Sequence, residues 1–202
     1  MKDRLVIIGA GGHAKVCYEI AKLLNCWRNI IFLDDCLENN YFHIQGPISN
    51  YKYFLESDFF VAIGSNEIRK KFITILEESG ASLIKLVHPQ SIVSDSVSIG
   101  AGSVVMGGVV INACSKIGRG CIINTGCTID HDCNIKDFVH ISPGTNVSGS
   151  VQIGCLSWLG TGTTVINNIE ISEKVIIGAG SVILKNIKDQ GTYVGHPCKK
   201  IK

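Results

Sequence analysis

The stretch IGRGCIINTGCTIDHDCNIKDFVHI, residues 117–141, has isoleucine at every sixth position. The same register holds Ile, Val or Leu without exception from Val93 to Ile183. A period of six fits neither an amphipathic helix nor a meander of hairpins, and it is typical of hexapeptide-repeat β-helices. The chain from residue 86 to residue 202 is therefore predicted to be a parallel β-helix, in which three hexads make one coil and the aliphatic residues point inward.

A second series, of small or β-branched residues, stands two positions before each aliphatic residue. Cys121, Cys127 and Cys133 belong to it and are predicted to fill the interior, because neighbouring hexads point in different directions. The nine cysteines of the chain include no CxxC pair, which argues against zinc. Glycine, Asn and Asp are expected at the corners, where tight turns need positive φ.

Residues 1–85 follow a different pattern. Apolar runs at residues 5–9, 30–35 and 58–66 have the length of buried strands, and residues 16–25 and 67–80 have helical spacing. Strands that alternate with helices predict a parallel sheet. We therefore expect a Rossmann-like half-domain, βαβαβ, in front of the solenoid.

The first strand runs into a glycine loop, Gly9-x-Gly11-x-x-Ala14, and Asp34 follows at the end of the second strand. This spacing is compatible with a dinucleotide fingerprint, but it also occurs in plain strand-to-helix turns. Three strands are half the number in a full dinucleotide-binding fold, which favours a site for one mononucleotide. The loop N–H groups would hold a diphosphate, and Asp34 or Asp35 a base or ribose.

Composition sets the outer limits. The formal net charge of +2 gives no basic stripe for nucleic acid. Mean hydropathy is high at +0.27, yet no apolar run approaches the roughly 18 residues of a membrane span. The first residues lead into the glycine loop rather than into a signal-peptide pattern, so we expect a cytoplasmic protein with no membrane partner.

The motifs GAGGHAKVC, IIFLDD, DFFVAIGSNEIRKK, NTGCTIDHDC, DFVHISPG and YVGHPCKK give the chain a clear family likeness. It resembles the PglD/NeuD-type sugar O-/N-acetyltransferases of the left-handed β-helix superfamily, and the PglD branch most. The resemblance implies acetyl-CoA as co-substrate and a UDP-4-amino-4,6-dideoxy sugar as acceptor. It also implies a nucleotide-sugar unit at 1–85, an acetyl-CoA unit at 86–202, and a homotrimer with active sites between subunits.

Site residues follow from the same likeness. His131 matches the general base, Asp132 the acid that supports it, Asn124 an active-site asparagine and His140 a second histidine near the thioester. The positions that match the surroundings of the nucleotide sugar are Gly11, Gly12, His13, Asp34, Asp35, Gly64 and Asn66. Those that match the cofactor's surroundings are His140, Gly149, Thr161 and Ala179. No metal is implied.

The residue types suit the chemistry. A neutral imidazole is available at pH 7 to take the proton of an attacking amine, and a carboxylate from Asp132 or Asp130 would fix its tautomer. His140 or a backbone N–H would stabilise the oxyanion. Direct attack needs no covalent nucleophile. Cys133, although it lies near His131, belongs to the inward series.

Three other functions remain compatible with the sequence. The same base would serve a NeuD-type O-acetyltransferase of sialic acid, since a hydroxyl group also needs deprotonation. A non-catalytic solenoid would act as a scaffold or binding module, although it would not need a histidine and an acid beside a nucleotide loop. An NAD-dependent protein is disfavoured by the short first unit.

Overall fold

The computed structural model describes residues 2–202. The first unit contains strands β1 (Lys2–Ile8), β2 (Trp27–Leu33), β3 (Ile44–Gly46), β4 (Asp58–Val61) and β5 (Ser82–Leu83). They form one parallel sheet in the order β3-β2-β1-β4-β5. The connections include helices α1 (Gly12–Leu24) and α2 (Asn66–Glu78) and a 3₁₀ helix at Ile48–Phe54. The predicted α/β half-domain is confirmed.

Alternate residues of β1 face opposite sides of this sheet. Leu5 and Ile7 pack in one cluster with the buried face of α1, whereas Val6 and Ile8 pack in another with Ile73 of α2. A strand covered on both faces reads as a continuous apolar run, which is why LVII was recognisable. The edge strands β3 and β5 were not expected, because segments of three and two residues carry no alternation pattern.

The rest of the chain forms a three-sided parallel β-solenoid of about six turns, as predicted. Face 1 contains β6 (Leu86–Val87), β9 (Val104–Val105), β12 (Ile122–Ile123), β15 (His140–Ile141), β18 (Trp158–Leu159), β21 (Val175–Ile177), β23 (Gly191–Val194) and β24 (Lys199–Lys200). Face 2 contains β7 (Ile92–Val93), β10 (Val110–Ile111), β13 (Thr128–Ile129), β16 (Asn146–Val147), β19 (Thr164–Val165) and β22 (Val182–Ile183). Face 3 contains β8 (Ser98–Ile99), β11 (Lys116–Ile117), β14 (Asn134–Ile135), β17 (Gln152–Ile153) and β20 (Glu170–Ile171).

Strands 18 residues apart pair in register, so equivalent residues stack, for example Ile123 on Ile141. The inward aliphatic residues form one continuous core, and Cys121, Cys127 and Cys133 are buried within it. Their burial confirms the inward assignment of the cysteine series.

The corners contain the main departure from expectation. Every sixth residue from 102 to 180 has a positive φ, at the second position of each turn. Glycine, Asn or Asp was expected there, but Phe138 and Leu156 adopt φ of 60° and 63°. Such a conformation costs a non-glycine residue roughly 1–2 kcal/mol. Both side chains are buried against the first unit, and that packing offsets the strain.

The first unit covers part of face 1. Outward-pointing Leu86, Val104 and Ile122, one above the other in successive coils, pack in the same cluster as α1. The next outward residue in this row is His140. The end of the covered region therefore places a histidine at the boundary between the two units.

Candidate active site

His131 and Asp132 form the turn that follows β13. The Nδ1 atom of His131 lies 2.8 Å from Oδ2 of Asp132, and both side chains are more than half exposed. This hydrogen bond, with the charge of Asp130 nearby, raises the pKa of His131 above its usual value. The arrangement leaves the Nε2 lone pair of the neutral imidazole available as a base.

Asp130 has another role. Its Oδ1 accepts hydrogen bonds from the His131 backbone N–H at 2.8 Å and from Nδ2 of Asn112 at 2.9 Å. Of the two acids that the sequence offered as partners of the imidazole, it is thus Asp132 that contacts the ring, and Asp130 shapes the turn.

His140 projects outward from face 1, beside Asn124. The Asn124 Nδ2 atom lies 3.2 Å from Nε2 of His140, and the Trp158 ring stacks nearly parallel to the imidazole at 5.8 Å between centroids. Burial, reinforced by the charge of Arg69, lowers the pKa of His140 to about 4. His140 is therefore neutral at pH 7. Because an amide nitrogen only donates, Nε2 accepts and Nδ1 carries the proton.

His13 lies in the first turn of α1, with Nε2 3.5 Å from Sγ of Cys17. Burial lowers its pKa to about 3, and the positive charge of Arg69 and the neighbouring His140 add to the effect. The structure thus brings His13 and His140 into one electrostatic environment at the junction of the two units, although 127 positions separate them in the sequence.

The glycine loop and the two acids meet at the carboxyl edge of the sheet. Asp34 accepts from the Ala10 N–H at 2.7 Å through Oδ2 and from the Cys36 N–H at 2.8 Å through Oδ1. Asp35 accepts from the Ile48 N–H at 3.0 Å. These contacts show that both acids shape the surrounding loops.

The backbone of the loops remains open to a ligand. A Cβ atom added at Gly11, Gly12 or Gly64 would meet nothing within 4 Å. Gly64 borders a cleft of about 570 Å³ between the start of α2 and face 1. The solenoid side of the cleft contains His140, Trp158 and Ile176.

The positions expected to contact the cofactor fall into two groups. Backbone hydrogen bonds link the turns of successive coils, from Gly162 to Pro143 and from Gly180 to Thr161. Thr161 and Ala179 therefore stack on the edge between faces 1 and 2, the edge that also carries Asn124. Gly149 lies on the edge between faces 2 and 3, against the His131 ring.

The expected catalytic residues are consequently divided between two edges of the prism. Asn124 and His140 lie at the edge between faces 1 and 2, and His131 and Asp132 lie at the edge between faces 2 and 3. The width of face 2, one hexad or about 20 Å of extended chain, separates them. One chain alone does not bring the predicted base to the predicted thioester site.

Two residues at the junction of the two units, Arg69 and Trp158, were not among the site residues predicted from the sequence. Arg69 is 1% exposed and connects the two units. It lies within the segment 67–80 with helical spacing, and its distance of four residues from buried Ile73 and seven from buried Leu76 puts it on the apolar face of α2. Trp158 points outward from face 1 into the cleft, and its Nε1 donates to Ser142 Oγ at 2.8 Å.

Within residues 2–202, no group of three or more His, Cys, Asp or Glu side chains is arranged to hold a metal ion. In the same part of the chain, no helix is both long and apolar enough to cross a membrane.

A β-solenoid with a histidine–carboxylate pair on one edge, joined to half of a nucleotide-binding fold, defines the hexapeptide-repeat acyltransferase class. Residues 4–76 match the family described as the PglD N-terminal domain. The acetyltransferase domain of PglB from Neisseria gonorrhoeae FA1090, solved in complex with acetyl coenzyme A, is similar to the chain. It is 40% identical with a TM-score of 0.96, and the match covers 100% of both chains.

Two further proteins are also similar to this chain. PerB from Caulobacter crescentus, solved with CoA and GDP-perosamine, is 36% identical with a TM-score of 0.93, over 98% of this chain and 97% of that one. UDP-N-acetylbacillosamine N-acetyltransferase of Bacillus subtilis (strain 168) is 37% identical over half of each chain. The chain belongs to the PglD-type sugar N-acetyltransferases, acetyl-CoA-dependent enzymes built on a left-handed β-helix.

Proposed function

We propose that the chain transfers the acetyl group of acetyl-CoA to the amino group of a nucleotide-activated sugar of the UDP-4-amino-4,6-dideoxy-N-acetylhexosamine type. The observation that carries this proposal is the His131–Asp132 pair, in which a 2.8 Å contact at Nδ1 leaves Nε2 to accept a proton. The relatives named for GDP-perosamine and UDP-N-acetylbacillosamine support an amino sugar on a nucleotide.

The reaction proceeds by direct attack. The sugar amine adds to the thioester carbonyl carbon while Nε2 of His131 takes a proton from nitrogen. Collapse of the tetrahedral intermediate breaks the C–S bond and leaves the amide, and the departing thiolate receives the proton from the imidazolium. Asp132 holds the ring orientation and stabilises its charge, as the acid does in catalytic triads.

The neutral state of His140 gives it a defined part in this scheme. With Nε2 directed at Asn124, the ring keeps its N–H at Nδ1, a donor suited to the developing oxyanion. Burial and the nearby Arg69 charge keep the ring from protonating near pH 7, so it does not compete with the amine for protons.

The two halves of the site would meet through trimerisation. The outward residues of face 2 after Ile92 are uncharged, namely Val110, Thr128, Asn146, Thr164 and Val182, whereas face 3 presents Lys116 and Glu170. A neighbour packed on face 2 would place its Asn124 edge near His131. We therefore propose a homotrimer with each site shared by two subunits, and a cytoplasmic location where acetyl-CoA is available.

The test is CoA thiol release on a panel of amino sugars carried by UDP, dTDP and GDP, together with CMP-sialic and free sialic acid. We expect turnover on a 4-amino sugar that falls by a factor of about 10²–10⁴ in His131→Ala. Turnover only on sialic acids would show an O-acetyltransferase, and silence on all acceptors would show a binding module. A monomeric mass by light scattering would overturn the shared site.

A further inference from the structure

Arg69 is a fully buried cation at the junction of the two units. Its side chain is 1% exposed, and no carboxylate within residues 2–202 forms an ion pair with it. A buried charge without a counter-ion is costly unless hydrogen bonds satisfy it. The acceptors that satisfy this one come from both units, so burying Arg69 has a structural purpose beyond packing.

On the side of the first unit, Nη1 of Arg69 donates to the carbonyl oxygens of Ile63 and Gly64, each at 3.0 Å. On the solenoid side, Nε donates to Gly120 O at 2.7 Å, and Nη2 donates to Phe138 O at 3.2 Å. One planar group therefore joins the loop after β4 to two successive coils.

Asn66 extends the connection to a third coil. Its Oδ1 accepts from Nη2 of Arg69 at 2.7 Å, and its Nδ2 donates to Leu156 O at 3.0 Å and Ser157 O at 3.2 Å. The carbonyls of residues 120, 138 and 156 are spaced by one coil each. The Asn66 amide, which the family likeness places near the sugar, is therefore occupied by contacts to the Arg69 side chain and the solenoid backbone.

The two ends of this connection lie at the two halves of the chemistry. Gly64 borders the cleft, beside the loops proposed to hold the nucleotide sugar. Phe138 lies in the turn before β15, two residues ahead of His140 at the proposed thioester site. A guanidinium has a fixed fork of donors, whereas a lysine ammonium is a point charge that cannot contact all four carbonyls at these separations.

We propose that Arg69 is a positioning residue, which sets the distance between the sugar-binding loops and the acetyl site by bonding Gly64 on one side and Phe138 on the other. This inference rests on the proposed function. Small displacements of reacting groups reduce rates steeply, by about 10²-fold for 1 Å. Loss of Arg69 should therefore reduce the rate of the bound complex more than the binding of either substrate.

The test compares full-length Arg69→Lys with wild type. We expect kcat to fall about 100-fold, the KM for the amino sugar to change less than about fivefold, and the CoA bound per chain to remain unchanged. A rise in KM at unchanged kcat would identify a substrate contact and overturn the proposal. A drop in activity that parallels a drop in bound CoA would instead indicate unfolded protein, and the Asn66→Asp variant described below then decides.

Glu77→Gln is the matched control. Glu77 lies on the same helix and forms an ion pair with Arg119 of the solenoid, so it also crosses the junction, but both side chains are partly exposed, at 34% and 40%. We expect it to change kcat less than twofold, because exposed pairs contribute little. An equal loss in both variants would mean that any junction contact suffices, which contradicts a specific role for Arg69.

Two further measurements cover other outcomes. If Arg69→Lys does not fold, Asn66→Asp takes its place as the test. This variant keeps the acceptor for Arg69 but removes the donor to Leu156 and Ser157, and we expect kcat to fall about tenfold. Hydrogen exchange needs no turnover: amides at 62–66 and 137–141 should exchange at least about tenfold faster in Arg69→Lys. Unchanged exchange in Arg69→Lys would overturn the positioning role of Arg69. If exchange is faster but the wild-type protein acetylates no amino sugar, the positioning role is retained and the proposed function is refuted.

Discussion

The imidazole of His131 lies directly on the backbone of Gly149, one coil further along the solenoid. A Cβ atom at Gly149 would stand 2.7 Å from both Cε1 and Nε2 of that ring, closer than packed side chains tolerate. Glycine is therefore needed here to make room for the base. The position that family likeness assigns to the cofactor's arm has a steric role in the site itself.

Gly149→Ala should displace the His131 ring and lower kcat/KM about 10–100-fold, because Nε2 would leave its aligned position. The fold should survive, since Gly149 does not have a positive φ. Gly107→Ala is the control: its added methyl would meet the His88 ring at an ordinary 3.5 Å. Thiol-release kinetics on both variants decide the matter, and a wild-type rate in Gly149→Ala would contradict this account.

Asp132→Asn should change both the rate and its pH dependence. His131 accepts a proton only when neutral, so kcat/KM in the wild type should fall as pH drops through its raised pKa. Removing the carboxylate lowers that pKa, and the acid limb should move to lower pH. The plateau should fall about 10–100-fold, because the tautomer is no longer fixed. Asp137→Asn, at another corner, should leave the acid limb in place; an unmoved limb in Asp132→Asn would remove Asp132 from the mechanism.

Acid should destabilise the fold through His13 and His140. Their folded pKa values of about 3 and about 4 lie below the ordinary value near 6.5. Between these values the unfolded chain binds more protons, so the free energy of unfolding decreases as pH falls from 6.5 towards 4. At pH 5 each histidine would contribute a loss of about 2 kcal/mol. His131, whose pKa is raised, acts in the opposite direction.

Urea unfolding at pH 7, 6 and 5 measures this loss, and His140→Asn should remove roughly half of it. A pH-independent unfolding free energy in the wild type would show that the two rings bind protons as readily in the folded state as in the unfolded state.

Cys114→Gly should stabilise the protein by about 1 kcal/mol. Cys114 is exposed and adopts a φ of 61°, which costs a side chain roughly 1–2 kcal/mol and glycine almost nothing. The neighbouring Ala113→Gly, with an ordinary φ, should destabilise by about 0.5–1 kcal/mol instead. Denaturation midpoints of the two variants provide the comparison. A change in stability of the same sign in both variants would contradict the claim that Cys114 is strained.

The solenoid was predictable because its contacts are periodic. Each aliphatic residue stacks on its equivalent 18 positions away, so the interior is encoded by one short repeat. The edge strands β3 and β5 were not, since two or three residues give no period. The positive φ of Phe138 was not predictable either. Its packing partners belong to the first unit, whose sequence does not share the six-residue period of the solenoid.

The sequence by itself determined the two-unit architecture, the inward series and the presence of an acid beside His131, which is local because Asp130 and Asp132 are its chain neighbours. The tertiary structure decided which acid contacts the imidazole, the pairing of Asn124 with His140, and the burial of Arg69 against two coils. It also separated the predicted base from the thioester site by the width of one face. These relationships arise where the first unit packs against the solenoid, two parts of the chain whose sequence patterns are unrelated. Burial at that junction sets the charge states of His13 and His140, which residue spacing along the chain does not reveal.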